Sequence, residues 1–137
     1  MNILIVEDNL AHQRITEYAL KRSKSALVVN VVRDGEEALD YLFRRNDFAD
    51  ARTSPTPDLI LLDLNLPRRD GREVLKIIKS DPLLKDIPVV IVSTSDREED
   101  VSYAFQTGAA AYISKSSGFD KFNEQLANIT QYARQRS

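Results

Sequence analysis

The sequence predicts an open α/β fold, in which a parallel β-sheet is covered by helices on both faces. Five short apolar runs alternate along the chain with longer amphipathic segments, and this alternation is typical of repeated β–α units. The apolar runs are continuous and rich in Val and Ile, as expected for strands that are buried on both faces. Because such units connect through right-handed crossovers, we expect a doubly wound sheet.

Each predicted strand is a short apolar run that ends in polar residues. The five runs are Ile3 to Val6, Leu27 to Val32, Leu59 to Leu62, Val89 to Val92, and Ala109 to Ile113. The irregular segment from Asn46 to Pro57, rich in Thr, Ser and Pro, is expected to be a surface loop before the third strand rather than a linker.

An amphipathic helix is predicted after each strand, with its apolar side chains turned toward the sheet. In chain order these apolar positions are Ala11, Ile15, Tyr18, Ala19; Ala38, Leu39, Leu42, Phe43; Val74, Leu75, Ile77, Ile78; Val101, Ala104, Phe105; and Phe119, Phe122, Leu126, Ile129, Ala133. Asp70 and Glu73 have the spacing of a capping box at the start of the third helix, and Ser80-Asp81-Pro82 is expected to end it. Ser95 and Asp96 are expected to cap the fourth.

Length and composition favour a single domain over residues 1–137 without an output domain. The 137 residues include no cysteine, which excludes disulfides and thiolate metal sites. A formal net charge of −2 argues against nucleic-acid binding. Since the chain has no signal peptide and no apolar stretch of roughly 20 residues, we expect a cytoplasmic protein that does not enter a membrane.

The candidate chemistry lies where the predicted strands end. In open α/β sheets, ligands bind beyond the carboxyl ends of the strands. The first strand is followed by Glu7 and Asp8, the third by Asp63, and the fifth by Lys115, while Ser93 and Thr94 follow the fourth. Each alone also fits a cap, a turn or a surface position, but their shared place at one edge of the sheet favours a site.

Three carboxylates at this edge need a positive partner, because two such charges 4 Å apart repel by about 4 kcal/mol at an effective dielectric near 20. Lys115 and a hard divalent cation are the candidates, and an all-oxygen donor set favours Mg²⁺. A carboxylate beside these cations can attack a phosphoryl group to form an acyl phosphate. We therefore take Asp63 as the candidate nucleophile.

Four motifs give the chain a resemblance to a known family over nearly its whole length: VEDN, DLILLDLNLPRRDG, PVVIVSTS and AAAYISK. The chain resembles the receiver domain of two-component response regulators. The resemblance implies a flavodoxin-like fold with strand order 2-1-3-4-5 and five helices. It also implies phosphorylation by a sensor histidine kinase or a phosphotransfer protein. Such a protein is not an enzyme but a switch that assists its own phosphorylation and dephosphorylation.

The resemblance assigns roles residue by residue at the metal site. Asp63 matches the phosphoacceptor, and Glu7 with Asp8 matches the acidic pair that binds Mg²⁺. The backbone carbonyl of Asn65 matches a further metal ligand.

The resemblance also assigns the switch residues. Ser93 with Thr94 matches the hydroxyl position, Lys115 the phosphate-binding lysine, and Tyr112 the aromatic switch position. Our hypothesis is that Ser93 moves toward the phosphoryl group while Tyr112 swings from outside to inside, which repacks the surface of the fourth helix, fifth strand and fifth helix.

Two departures from the usual receiver pattern point to a subfamily. Lys115 is followed by Ser116, where most receivers have a proline that usually carries a cis bond, and the loop before the third strand is longer than in minimal receivers. Together with LNLPRRDGREVLKIIKSDP, they resemble stand-alone regulators of phytochrome-type, light-sensing histidine kinases. A homodimer through the last helix, near Tyr132, and the fifth strand is a further expectation.

Two other functions remain open from the sequence. A phosphatase of the haloacid-dehalogenase type also phosphorylates an aspartate, but its usual second aspartate is replaced here by Asn65, and 137 residues leave no room for a substrate cap. A receiver-like interaction module without phosphorylation is the other alternative. The lone His12 is interpreted as an ordinary polar residue of the first helix rather than a phosphohistidine.

Overall fold

The computed structural model describes residues 1–22 and 26–134, and within these ranges it confirms the predicted α/β architecture. Five parallel strands form one sheet in the order β2-β1-β3-β4-β5. The strands are β1 (Asn2–Val6), β2 (Val28–Val32), β3 (Leu59–Leu62), β4 (Val89–Ser93) and β5 (Ala111–Ser114).

Five helices connect and follow the strands: α1 (Leu10–Lys21), α2 (Gly35–Leu42), α3 (Gly71–Ser80), α4 (Glu98–Thr107) and α5 (Phe119–Ala127). Short 3₁₀ turns lie at Asn46–Phe48 and Ile129–Tyr132. Within residues 1–22 and 26–134, no helix combines the length and the apolar character needed to cross a bilayer.

The sheet separates two apolar layers because successive side chains of a strand point to opposite faces. Leu4, Ile60 and Ile91 belong to the layer that includes buried side chains of α2, α3 and α4. Ile5 and Leu61 belong to the opposite layer, beneath α1 and α5. The central strands β3 and β4 are buried along their whole length, which agrees with their unbroken apolar runs.

The sheet topology brings the ends of β1 and β3 together. Strand order reverses at β1, which pairs with β2 on one side and with β3 on the other, and Val6 is in register with Leu62. The Asp63 amide donates to the Val6 carbonyl at 3.2 Å. The residues that follow these two strands are therefore neighbours.

The fifth strand begins two residues later than predicted, at Ala111 rather than Ala109. Gly108 ends α4 in the left-handed conformation, with φ of 114°, and the Ala109 amide still donates to Ala104 of α4 at 2.9 Å. Ala109 is buried, so its apolar character reflects packing below the helix end and not strand pairing.

The predicted apolar face of α1 is confirmed in part, because Ile15 and Ala19 pack in the core whereas Ala11 and Tyr18 are exposed. Tyr18 is 64% exposed, whereas Gln13 and Thr16 are buried with Ala19. The Gln13 side chain donates from Nε2 to the backbone carbonyl of Glu7 at 2.7 Å, so this buried side-chain amide has a hydrogen-bond partner. Three other aromatic side chains assigned to inner helix faces are also substantially exposed: Phe43, Phe105 and Phe119.

The last helix is shorter than the apolar pattern suggests. It ends at Ala127, where the Asn128 side chain turns back to donate to the Glu124 carbonyl at 3.0 Å. Ile129 and Ala133 are nevertheless buried, because the 3₁₀ turn carries them onto the same core. A periodic apolar pattern thus continues through two kinds of helix.

The capping predictions are confirmed only in part. Asp70 is the N-cap of α3 and accepts from the Arg72 amide at 2.8 Å, but the Glu73 carboxylate accepts from Arg69 instead of completing a capping box. The helix ends at Ser80 as predicted. Ser95 and Asp96 do not cap α4, whose N-cap position is Arg97.

Candidate functional site

Three carboxylates converge at the carboxyl end of the sheet. Glu7, Asp8 and Asp63 each place one oxygen within 4.8 Å of the others. Glu7 and Asp63 are buried, while Asp8 is exposed. The parallel pairing of β1 with β3 is what brings them together, as the sequence predicts.

Lys115 supplies a positive charge to this cluster from the end of β5. Its Nζ donates to Asp63 Oδ2 at 2.9 Å and also contacts Glu7 Oε1. The Lys115 side chain is only 5% exposed. Its amide donates to the Ser93 carbonyl at 2.8 Å, so the end of β4 fixes where the lysine enters the site.

Burial changes the acidity of Glu7. Desolvation raises the pKa of Glu7 to about 7, and the nearby Asp63 carboxylate acts in the same direction. Lys115 and the Asn9 amide, which donates to Glu7 Oε2 at 3.2 Å, oppose this effect. Burial and the Asp63 carboxylate thus disfavour the ionised form of Glu7, while Lys115 favours it.

His12 lies at the edge of the site, which the sequence interpretation missed. Its Nδ1 is 3.1 Å from Lys115 Nζ and 3.6 Å from Glu7 Oε1. Burial, together with the Lys115 ammonium, lowers the pKa of His12, so a neutral imidazole can accept from Lys115. The available signal was Asn9, a helix-capping residue type that accepts from the His12 amide and fixes it in the first turn of α1.

The two predicted hydroxyl positions differ in their surroundings. Ser93 is fully buried at the end of β4, and its Oγ accepts from the Ser95 amide at 3.2 Å. Thr94 is exposed, and its carbonyl accepts from the Ser116 hydroxyl at 2.9 Å. Ser93 is therefore enclosed by the protein at the end of β4, whereas Thr94 faces solvent.

Tyr112 is in an inward position. Its ring packs against the core layer shared with α3 and α4, and its hydroxyl donates to the Ser95 carbonyl at 2.6 Å. The outward starting position in our hypothesis is not the one this structure shows. The Lys115–Ser116 peptide bond is trans, unlike the cis bond common at this place in receivers.

The donor set fits a hard divalent cation. All three side chains offer carboxylate oxygens, which Mg²⁺ and Mn²⁺ prefer over nitrogen or sulfur ligands. Asn65 is exposed beside this cluster, and its amide donates to Asp63 Oδ1 at 3.0 Å. That bond holds the turn after β3 against the Asp63 carboxylate.

Residues 3–127 match the response regulator receiver domain. The chain belongs to this family. This receiver domain is 39% identical over 130 residues to the response regulator Rcp1 of Synechocystis sp., an alignment that covers 95% of the chain and 86% of Rcp1. Receiver domains are regulatory switches that bind divalent metal, so family membership favours a switch over a haloacid-dehalogenase-type phosphatase.

Solved structures support the same family assignment. The crystal structure of the phosphorylated cyanobacterial phytochrome response regulator RcpA is 45% identical, with a TM-score of 0.87, and the match covers 96% of this chain and 92% of RcpA. The Mn²⁺-bound form of Rcp1 has a TM-score of 0.86 at 39% identity, with the same coverage. The bacteriophytochrome response regulator RtBRR is 43% identical, with a TM-score of 0.77 over 93% of this chain and 77% of RtBRR. The receiver domain is thus homologous to phytochrome response regulators.

Proposed function

We propose that this protein is a single-domain response regulator that accepts a phosphoryl group on Asp63 in a Mg²⁺-dependent reaction. The observation that carries the proposal is the placement of the Asp63 carboxylate between the Lys115 ammonium and two further carboxylates. An interaction module that is not phosphorylated would gain nothing from burying Glu7, Asp63 and the Lys115 side chain together at the carboxyl edge of the sheet. The expectation that residues 1–137 form one domain without an output domain stays a prediction.

The donor is a phosphohistidine of a sensor kinase or a phosphotransfer protein. Asp63 attacks phosphorus, the bond from phosphorus to the histidine nitrogen breaks, and an acyl phosphate forms. Glu7, Asp8 and the Asn65 carbonyl would hold Mg²⁺ with Asp63, and the metal would neutralise charge on the transferring group. Lys115 stabilises the same charge from the β5 side, and Ser93 provides a hydroxyl to the phosphoryl oxygens.

A phytochrome-type kinase is the proposed donor. The support is the similarity to RcpA and RtBRR, whose names connect them to a phytochrome and a bacteriophytochrome. Such a donor would phosphorylate the protein in the cytoplasm. The expectation that no nucleic acid is bound rests on the net charge of −2 and stays a prediction.

Phosphorylation is proposed to change the surface of α4, β5 and α5 through movements of Ser93 and Tyr112. A second copy of this chain is the proposed partner at β5 and the last helix, near Tyr132. Strand β5 is an edge of the sheet, beside a groove lined by Tyr112, Gln125 and Tyr132. An edge strand favours contact with another chain, because its unpaired backbone groups can pair with a second strand.

Incubation with Mg²⁺ and acetyl phosphate, followed by intact-mass measurement, tests the proposal. We expect one added phosphoryl group on the wild-type protein and none on Asp63→Asn. The matched control is Asp47→Asn, an exposed aspartate of the 3₁₀ turn at Asn46–Phe48, which should label as the wild type does. Release of phosphate without a labelled intermediate would instead favour a phosphatase, and no modification would favour an unphosphorylated module.

A further inference from the structure

A partly buried ion pair joins α3 to the first turn of α4. Arg72 of α3 donates to Asp100 Oδ1 through Nε and Nη2, at 3.0 and 2.8 Å. The other Asp100 oxygen accepts from the Ser95 hydroxyl at 2.5 Å and from Arg97 Nε at 3.2 Å. Asp100 is 4% exposed, so this carboxylate is satisfied almost entirely by protein donors.

Ser95 is the junction between this ion pair and the switch residues. Its hydroxyl donates to Asp100, its amide donates to Ser93 Oγ at 3.2 Å, and its carbonyl accepts from Tyr112 at 2.6 Å. All three polar groups of Ser95 are therefore engaged by different parts of the fold. A shift of Ser95 must change the surroundings of both Ser93 and Tyr112.

The α3 side of the pair is itself held in place. Arg72 Nη1 donates to both oxygens of Asp70, the N-cap of α3, at 3.2 Å. The Arg72 carbonyl accepts from the Tyr103 hydroxyl of α4, also at 3.2 Å. Since Asp70 ends the loop that begins at Asp63, the pair links that loop to the loop after β4.

We infer that Arg72 and Asp100 are positioning residues, which hold Ser95 where it can orient the Ser93 hydroxyl and keep Tyr112 inward. The inference rests on the proposed function, because Ser93 and Tyr112 matter only if the protein is a phosphorylation switch. Neither Arg72 nor Asp100 touches the phosphoryl group. They act through Ser95, and so α3 takes part in the switch alongside α4 and β5.

The first test uses the unphosphorylated protein and needs no metal. Arg72→Gln and Asp100→Asn remove one charge each; Asn keeps the shape of Asp, and Gln leaves a shorter polar side chain in place of Arg. We expect both to shift the NMR signals of the Ser95 amide and the Tyr112 ring. The matched control is Arg52→Gln, which removes an exposed ion pair with Asp50 in a surface loop. Unchanged Ser95 and Tyr112 signals in both folded variants would overturn the inference.

The second test measures binding of beryllofluoride with Mg²⁺ as a mimic of the phosphoryl group. We expect about tenfold weaker binding in each single variant, as for loss of one hydrogen bond to a charged group. The Arg72→Gln/Asp100→Asn double variant should be little worse than either single variant, because both changes disrupt the same Arg72–Asp100 ion pair. Binding equal to wild type in the single variants would reject the positioning role.

The two tests separate this inference from the proposed function. If the wild-type protein itself fails to bind beryllofluoride, the phosphorylation proposal fails. The NMR comparison in the unphosphorylated protein then still decides whether the ion pair positions Ser95. If the wild type binds and the variants bind equally well, only the positioning role is lost.

Discussion

Lys115 Nζ lies 2.9 Å from Asp63 Oδ2 and joins the end of β5 to the end of β3 across the intervening strand β4. The same ammonium contacts Glu7, so one cation serves two buried carboxylates. A divalent cation bound by Glu7 and Asp63 must share these oxygens with Lys115. The lysine therefore balances charge in the resting site and would compete with a metal ion for the Glu7 and Asp63 oxygens.

Lys115→Gln should uncouple metal binding from phosphorylation. Without the ammonium, Glu7 and Asp63 repel each other more strongly, and a divalent cation is the remaining way to neutralise them. We expect Mn²⁺ to bind several-fold more tightly, measured by calorimetry, while labelling by acetyl phosphate falls by at least about tenfold. Lys76→Gln, on the exposed side of α3, is the control. Weaker Mn²⁺ binding in Lys115→Gln would contradict this view of the site.

Asp100→Asn should alter stability in a pH-dependent way. The Ser95 hydroxyl above all, with Arg72 and Arg97, lowers the pKa of Asp100 from 3.8 to about 2. Because the folded pKa lies below the unfolded value, the ionised carboxylate stabilises the fold above about pH 4, and this contribution is lost as the pH falls toward 2. Replacement by Asn should therefore lower the free energy of unfolding by up to about 2 kcal/mol at pH 6.

Urea denaturation of wild type and Asp100→Asn at pH 6, 4 and 3 measures this difference. The gap between the two proteins in the free energy of unfolding should be largest at pH 6, slightly smaller at pH 4 and clearly smaller at pH 3. A gap that does not narrow would show that the carboxylate charge is not what stabilises this part of the fold.

Gly71→Ala should disturb both stability and the metal site. A Cβ atom at Gly71 would lie 2.1 Å from the Asp63 carbonyl oxygen and 2.7 Å from Leu64 Cα, so the end of β3 must move. Overpacking of this kind costs about 1–3 kcal/mol. We expect a lower melting temperature and weaker Mn²⁺ binding. Lys76→Ala in the same helix should change neither, and normal Mn²⁺ binding by Gly71→Ala would show that Asp63 had not moved.

Gln131→Glu should weaken the proposed self-association. Gln131 is exposed at the rim of the groove beside β5, where a twofold contact would bring two copies of the new charge together. We expect a shift toward monomer in sedimentation velocity runs made with Mg²⁺ and beryllofluoride. Gln106→Glu on α4 is the control. A monomeric wild-type protein at every concentration, with and without beryllofluoride, would remove the dimer from the proposal.

The sequence predicted the strands and the strand-end residues well because both depend on local patterns. Continuous apolar runs identify buried parallel strands, and the residue after each run must lie at the carboxyl edge of the sheet. Glu7, Asp8, Asp63 and Lys115 converge for this reason alone.

The buried face of each helix was less predictable, because a prediction from apolar periodicity assumes that only apolar side chains are buried. In α1 the buried positions include Gln13 and Thr16, and Gln13 is satisfied by the Glu7 carbonyl. Arg72 and Asp100 are likewise far apart in sequence, and only the packing of α3 against α4 brings them together. Polar pairs between residues that are distant in the chain produce no local pattern in the amino-acid sequence.

Asp58 has a practical consequence for labelling the protein. Its side chain accepts from the Asn2 amide at 2.8 Å, and its carbonyl accepts from the Arg134 amide at 2.8 Å. Both of these backbone segments therefore sit at the amino edge of the sheet, about 16 Å along β3 from Asp63. A fluorophore attached near Asn2 or Arg134 would leave the opposite edge open to a phosphodonor.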